Sequence, residues 1–381
     1  MLHSLAWYQL VSEKRRLLAA LAGIGFAVML QLLQFGFRDA LFESATVLHD
    51  RLAADLVLTS SLYENEVAPG SVTRRRLYEA LGVAGVEAVV PVSMGVTAFK
   101  NPETGFDKRI ITVGFDPDQR ALNIPSVNDN VALLKMPDTA LFDALSRPEF
   151  GPIVEQFNAN KSVTTEVNAR RTKIVGLFEL GVSFAGNGHL IVSDTTYRKM
   201  FGRSESLFEL GLIRVKPGSD VAAIQAELVR RLPHDVKVLT LPEMRDLEQG
   251  FWRTNTPIGF IFLIGAMVGL MVGAVIVYQI LYTDVSDHLG EYATLKAMGY
   301  ADRFLNIVVL EEALILSVAG FPIGFGLAQV LYMLARNATH LPIFMTVGRA
   351  SMVFALTIVM CALSGMIAIR KLQSADPAEV F

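Results

Sequence analysis

The chain has 381 residues, of which 52% are hydrophobic, and a mean hydropathy of +0.42, which is too apolar for an ordinary soluble protein. It is long enough for a membrane part and a water-soluble domain together. The formal net charge of -3 argues against nucleic acid as a partner, because phosphate binding needs a basic surface. Cys361 is the single cysteine, so an intrachain disulfide is excluded.

Four stretches with few or no charges are long enough to cross a membrane, since a bilayer core of about 30 Å needs about 20 helical residues. They predict spanning helices over 17–37, 257–282, 304–335 and 350–369. Residues 1–16 place apolar side chains ahead of a basic cluster. They predict a cytoplasmic interfacial helix before a retained first span, because that span is too long for the core of a signal peptide.

Basic residues near the spans predict the orientation. Those on the side of the N-terminus are Lys14, Arg15, Arg16, Lys296, Arg303, Arg370 and Lys371. The short loop 336–349 carries only Arg336 and Arg349 on the other side. We therefore expect both termini, including the tail 370–381, in the cytoplasm and residues 38–253 outside it.

Residues 38–253 predict a mixed α/β domain. Runs rich in β-branched residues indicate strands at 86–99, 109–115, 190–193, 210–216 and 236–241. Between the last two, apolar residues at helical spacing follow Ser219 and Asp220, which predicts a strand, a capped helix and a strand. Residues 119–171 are richer in Asn, Pro and Asp and are interpreted as an inserted lobe.

Residues 284–303 are a charged stretch left in water between two spans, and they predict a helix of about three turns. Ser286 or Asp287 can cap its first amides, and Gly299 can end it. A docking helix would fit a groove on a cytoplasmic partner. Its anchors would be Leu289, Tyr292, Leu295 and Met298. A solvated loop helix without a partner fits the position equally well.

A family resemblance favours the docking helix. Residues 290–300 read GEYATLKAMGY, a span with early glutamates follows, and the chain ends in KLQSADPAEVF. These words resemble the FtsX-like permeases of MacB-type ABC transporter systems, and within them the DevC family most. The layout of one span, a large outer domain and three further spans is similar to theirs.

The resemblance implies a multi-pass protein of the bacterial inner membrane with the MacB-like mechanotransmission (type VII) fold. Its coupling helix would contact a separate cytoplasmic ABC ATPase subunit through residues 287–300. The positions that carry this role over are Asp287, Leu289, Glu291, Tyr292, Leu295, Met298 and Gly299. The outer domain would be the MacB-like periplasmic domain, which engages a membrane-fusion adaptor joined to an outer-membrane channel.

The function implied is that of the permease subunit of a tripartite exporter, working as a homodimer among membrane lipids. It would transmit ATPase motion across the membrane rather than open a polar pore. Likeness to DevC suggests a lipid-like cargo such as a glycolipid. Two alternatives share the same machinery: an FtsX-like regulator of a cell-wall hydrolase, and a lipoprotein-releasing permease.

Two groups of residues in the spans have several interpretations. Gly265, Gly269 and Gly273 recur every four residues on one helix face, which suits a dimer seam, a sliding seam inside the subunit or ordinary small-residue packing. Glu311 and Glu312 cost about 2.5 kcal/mol or more each near the bilayer centre. They are interpreted as reaching the inner surface or bonding to the coupling helix, with a proton-coupling site as the alternative.

Catalytic signals are absent from the sequence. There is no Walker A pattern, so we expect ATP and Mg²⁺ on a partner subunit, no cofactor on this chain and no enzyme activity of its own. The six histidines are scattered without the spacing of metal ligands.

Overall fold

A computed structural model describes residues 14–288, 290, 298 and 302–373 of the chain. It divides into two compact units. We call Leu41–Thr256 with Thr339–Pro342 the α/β unit, and the remainder the helical unit.

The α-helices of the described residues are numbered in chain order. They are α1 Lys14–Ser44, α2 Arg74–Leu81, α3 Pro125–Asn130, α4 Ile153–Asn160, α5 Asp194–Phe201, α6 Val221–Arg231, α7 Leu241–Asn255, α8 Ile258–Asp287, α9 Asp302–Thr339 and α10 Val347–Gln373.

The strands are numbered in the same way. They are β1 Leu56–Ser60, β2 Val72–Thr73, β3 Val86–Lys100, β4 Asp107–Phe115, β5 Thr139–Asp143, β6 Val163–Val167, β7 Arg170–Phe178, β8 His189–Ser193, β9 Leu207–Phe208, β10 Leu210–Val215 and β11 Val236–Thr240.

The helical unit contains the four helices that are long and apolar enough to cross a membrane: α1, α8, α9 and α10. They confirm the four apolar helices predicted from the sequence. Their shared core contains Ile24 and Leu32 of α1, Leu281 of α8, Leu316 of α9 and Cys361 of α10, and Cys361 is buried as a packing residue.

The end of α8 differs from the prediction. Residues 284–287 continue α8, and Ser286 and Asp287 lie in its last turn instead of capping a new helix. The Ser286 hydroxyl donates to the carbonyl of Tyr282 at 2.8 Å, which is an ordinary bond within a helix. Nothing in this turn breaks the helix, since residues 284–287 include neither glycine nor proline.

The α/β unit is built on a nine-stranded sheet in the order β11-β1-β10-β3-β4-β8-β5-β7-β6. Most neighbours are antiparallel, but β4 with β8 and β5 with β7 are parallel. The end of the sheet curls back, because β6 also pairs with β3 through Val167 and Phe99. A short ladder joins β2 and β9. The mixed α/β domain predicted from the sequence is confirmed.

The predicted strands and the capped helix are found near their expected bounds. The Asp220 side chain accepts from the amides of Ala222 and Ala223 at the start of α6, between β10 and β11. The prediction that residues 119–171 form an inserted lobe is wrong. Within 119–171, β5 pairs with β8 and β7, and β6 pairs with β7, so this stretch is part of the single large sheet.

Candidate functional site

The predicted coupling segment begins where α8 ends. Asp287 is its last helical residue and binds the Arg16 guanidinium of α1. Met298 is 64% exposed. Leu289, Glu291, Tyr292, Leu295 and Gly299 lie outside the described residues, so the coupling helix stays a prediction. The structure shows the contacts made at the end of α8, where this segment begins in the sequence.

These contacts form a polar group that we call the Asp284 cluster: Arg16 of α1, Asp284 and Asp287 of α8, His288, and Glu312 of α9. Nη1 of Arg16 lies 3.7 Å from Oδ1 of Asp284. Nδ1 of His288 lies 2.9 Å from the Asp284 carbonyl oxygen. The Asp284 side chain is 6% exposed and Glu312 is fully buried beside it. Three spanning helices therefore meet through charged side chains at this end of the unit.

A second polar group, the Asp39 cluster, contains Asp39 of α1, Arg349 of α10 and the Phe344 carbonyl. Nε and Nη2 of Arg349 donate to Oδ2 of Asp39 at 3.1 and 2.8 Å, and Nη1 donates to the carbonyl of Phe344 at 2.7 Å. Arg38 donates to the other Asp39 oxygen. At 1.5 Å per residue, Asp39 lies about 35 Å from Arg16 along α1, which is close to the thickness of a bilayer core. The charges thus lie at the two ends of an apolar span.

Between the two clusters, the glycines of α8 form a close seam with α1. A Cβ added at Gly265 would lie 2.5 Å from Gln34, one at Gly269 would lie 3.3 Å from the Leu30 Cβ, and one at Gly273 would lie 2.6 Å from the Ala27 Cβ. Small residues allow helix backbones to approach in this way. In this chain the glycine face is therefore occupied by α1, as expected for a seam inside the subunit.

The α/β unit contains a buried polar network that sequence reasoning missed. Glu248 of α7 is its centre, and both of its carboxylate oxygens accept hydrogen bonds. Oε2 accepts from the Tyr63 hydroxyl at 2.9 Å, and Oε1 accepts from the indole Nε1 of Trp252 at 3.0 Å and from the amide of Glu66 at 3.2 Å. Nε2 of His49 lies 2.9 Å from the Tyr63 oxygen.

Glu66 is the second carboxyl of this network and is fully buried. The Ser183 hydroxyl donates to its Oε1, and Oε2 has no hydrogen-bond partner within the described residues. Burial, and then the nearby Glu248, raises the pKa of Glu66 to about 8. Burial raises the pKa of Glu248 to about 7 and lowers that of His49 to about 4. Near neutral pH the Glu66 carboxyl group is therefore mostly protonated, Glu248 is close to the midpoint of its titration and His49 is neutral.

The sequence offers one weak signal for this network. Met244 and Glu248 are one helical turn apart on the buried face of α7, so a carboxyl replaces an apolar residue there. Its partners come from distant parts of the chain. Across the described residues, no group of three or more His, Cys, Asp or Glu side chains could hold a metal ion.

Comparison with known families matches residues 260–377 to the FtsX-like permease C-terminal family. Two uncharacterized ABC transporter permeases of Methanocaldococcus jannaschii are similar in sequence. The first is 23% identical over 156 residues, which cover 41% of this chain and 42% of the relative. The second is 24% identical over 186 residues, which cover 46% of this chain and 45% of the relative. The chain thus spans less than half the length of the curated relatives it matches.

Two solved structures are similar in part. One is the extracellular domain of the noncanonic ABC-type transporter YknZ from Gram-positive bacteria. The alignment covers 49% of this chain and 99% of the YknZ domain, with 15% sequence identity and a TM-score of 0.34. The other is the periplasmic region of MacB from Actinobacillus actinomycetemcomitans. The alignment covers 51% of this chain and 92% of the MacB region, with 10% sequence identity and a TM-score of 0.36.

Proposed function

We propose that this chain, whose residues 260–377 form an FtsX-like permease C-terminal domain, is the membrane permease subunit of an ABC transport system. The observation that carries the proposal is the charged segment between α8 and α9, two helices long and apolar enough to span a membrane. The sequence has no nucleotide-binding motif of its own. Energy would therefore enter from a separate ATPase subunit, and a water-exposed segment between two spans is a suitable place for it to dock.

The contacts of the helical unit support transmission of motion rather than a polar pore. Apart from Glu311 and Glu312, no acidic or basic residue lies in the apolar interiors of the four helices, so little lines a polar route. The Asp284 cluster joins the end of α8 to α1 and α9, and the glycine seam packs α8 along α1. A displacement of the coupling segment would therefore reach α1 and α9 through direct contacts.

Helices α1 and α8, which form this seam, are directly connected in sequence to the α/β unit. Helix α1 runs to Ser44, and α8 follows α7 with only Thr256 and Pro257 between them. We propose that the α/β unit is periplasmic and responds to movement of α1 and α8. The bias of basic residues near the spans, which predicts both termini in the cytoplasm, supports this orientation.

The finer proposal is a tripartite exporter. The permease would be a homodimer paired with the ATPase, the α/β unit would engage a membrane-fusion adaptor, and an outer-membrane channel would complete the assembly. The cargo would be lipid-like or amphipathic, such as a glycolipid. This proposal is supported by the DevC-like sequence words at 290–300 and 376–379. Because the glycine seam is occupied by α1, a homodimer would use other faces of the helices.

The coupling contact is tested by replacing Leu289, Tyr292 and Leu295 with aspartate and measuring co-purification of the ATPase subunit and its stimulated hydrolysis. We expect both to be lost, because three charges would face an apolar groove. The control is Leu62→Asp, at a 78% exposed position of the α/β unit, which should change neither. Unchanged co-purification and hydrolysis in the triple variant would show that the segment is not the coupling contact.

Export as the function is tested by identifying the soluble proteins that co-purify with the intact complex. An adaptor with a long helical hairpin is the expected partner. A cell-wall hydrolase, or a lipoprotein with its carrier, would contradict export and leave the ATPase contact standing.

A further inference from the structure

Glu312 of α9 is a fully buried carboxyl group inside a membrane-spanning helix. Neither of its oxygens is reached by a hydrogen-bond donor within the described residues. Its neighbour is the carboxyl group of Asp284 on α8, which is itself almost fully buried. Carboxyl groups from two different helices thus lie beside each other in a buried position.

The charges around this pair come from every helix that meets it. Helix α1 contributes Arg16, the end of α8 contributes Asp287, and His288 follows with Nδ1 4.0 Å from Oδ1 of Asp284. Glu311 precedes Glu312 on α9, and α10 has no charged residue between Arg349 and Arg370. If all carboxyl groups of the Asp284 cluster were ionised, the cluster would hold three negative charges and the single guanidinium of Arg16.

Ionising both of two adjacent carboxyl groups in a low-dielectric site costs much more free energy than ionising them in water. The two negative charges repel each other, and both groups have lost their hydration. Asp284 has the Arg16 guanidinium 3.7 Å away, which stabilises its anionic form. No cation contacts Glu312 among the described residues. A proton on Glu312 removes the repulsion and turns the Glu312 carboxyl group into a hydrogen-bond donor for Asp284.

We infer that Asp284 and Glu312 form an intramembrane proton-binding site, in which the protonated Glu312 donates a hydrogen bond to the Asp284 carboxylate. When this proton is bound, the hydrogen bond holds α9 against the end of α8, where the coupling segment begins. When the proton is lost, two buried negative charges lie in contact, and their repulsion drives α8 and α9 apart at this point. The site goes beyond the proposed function, since its occupancy does not depend on which partner binds the segment.

The test is infrared spectroscopy of the purified full-length protein at neutral pH, comparing the carbonyl band of protonated carboxylic acids between variants. We expect Glu312→Gln to remove intensity equal to one carboxylic acid. Glu311→Gln, which changes the neighbouring carboxyl in the same span, should keep that intensity. Glu66→Gln removes a different carboxylic acid and calibrates the loss of one group.

A spectrum of Glu312→Gln with the same carboxylic-acid intensity as the wild type would overturn the site. If that variant does not fold, Asp284→Asn provides the second measurement. Changing the acceptor of the Glu312 hydroxyl should shift the Glu312 carbonyl band. An unshifted band in Asp284→Asn would equally overturn the proposal. Neither result bears on binding of the ATPase, so failure here is distinguishable from failure of the proposed function.

Discussion

Replacing Glu66 with glutamine should remove the share of Glu66 in the loss of stability of the α/β unit as the pH rises, and should leave the smaller share of Glu248. Glutamine keeps the volume of the side chain and an oxygen for the Ser183 hydroxyl, but it cannot ionise. Because folding raises the pKa of Glu66 from 4.5 to about 8, the folded protein binds more protons than the unfolded chain between these values. Stability from this group is therefore present below about pH 4.5 and is lost as the pH rises through about 8.

The magnitude follows from the shift. About 3.5 pKa units at about 1.36 kcal/mol each set an upper bound of about 5 kcal/mol on the loss above pH 8. Relaxation and entry of water reduce such costs in real proteins. We therefore expect the free energy of unfolding to fall by roughly 2–3 kcal/mol more in the wild type than in Glu66→Gln between pH 5.5 and pH 8.

The assay is urea unfolding of the full-length protein in detergent, followed by the fluorescence of Trp252. This indole bonds to Glu248 and packs on Phe184 with ring centroids 4.5 Å apart, so it reports on the network directly. A Trp7→Phe background removes the second tryptophan of the chain. Glu64→Gln, at an exposed position two residues away, is the control and should behave as the wild type. Equal pH dependence in the wild type and Glu66→Gln would refute the reasoning.

Two further predictions concern the helical unit. Gly273→Ala should lower the stability by about 1–3 kcal/mol, because the added Cβ would lie 2.6 Å from that of Ala27, whereas Gly326→Ala meets nothing within 4 Å and should cost nothing. Thermal unfolding in detergent measures both, and equal midpoints would contradict the close seam. Arg349→Ala should cost about 2–3 kcal/mol, because it removes two charge-assisted hydrogen bonds from the half-buried Asp39 carboxylate. A double-mutant cycle with Asp39→Ala should recover part of that loss, and strictly additive effects would exclude the pairing.

Much of this architecture could be predicted from the sequence, because it depends on local patterns. Apolar runs with few or no charges, each long enough to cross a bilayer, identify α1, α8, α9 and α10. β-Branched runs identify the main strands of the α/β unit, and Asp220 caps the helix expected after it. These features need no knowledge of distant residues.

What the sequence could not provide depends on contacts between distant segments. Glu248 meets Tyr63 across 185 positions of the chain, and Arg349 meets Asp39 across 310. The inserted lobe failed for the same reason, since composition does not show that β5 pairs with β8. The prediction that Ser286 or Asp287 caps a new helix was wrong because Asp284 and Asp287, although charged, continue α8 beside Arg16. Polarity alone therefore does not indicate where this helix ends.

The central claim is that the segment between α8 and α9 contacts an ATPase, and cysteine cross-linking in native membranes tests it most directly. A Cys361→Ala background has no other cysteine, and a cysteine can be placed at Met298, which is 64% exposed. With the ABC ATPase subunit co-expressed, the account predicts an adduct that contains both chains from position 298 and none from a cysteine at Leu62. An adduct from position 62 and none from position 298 would contradict it.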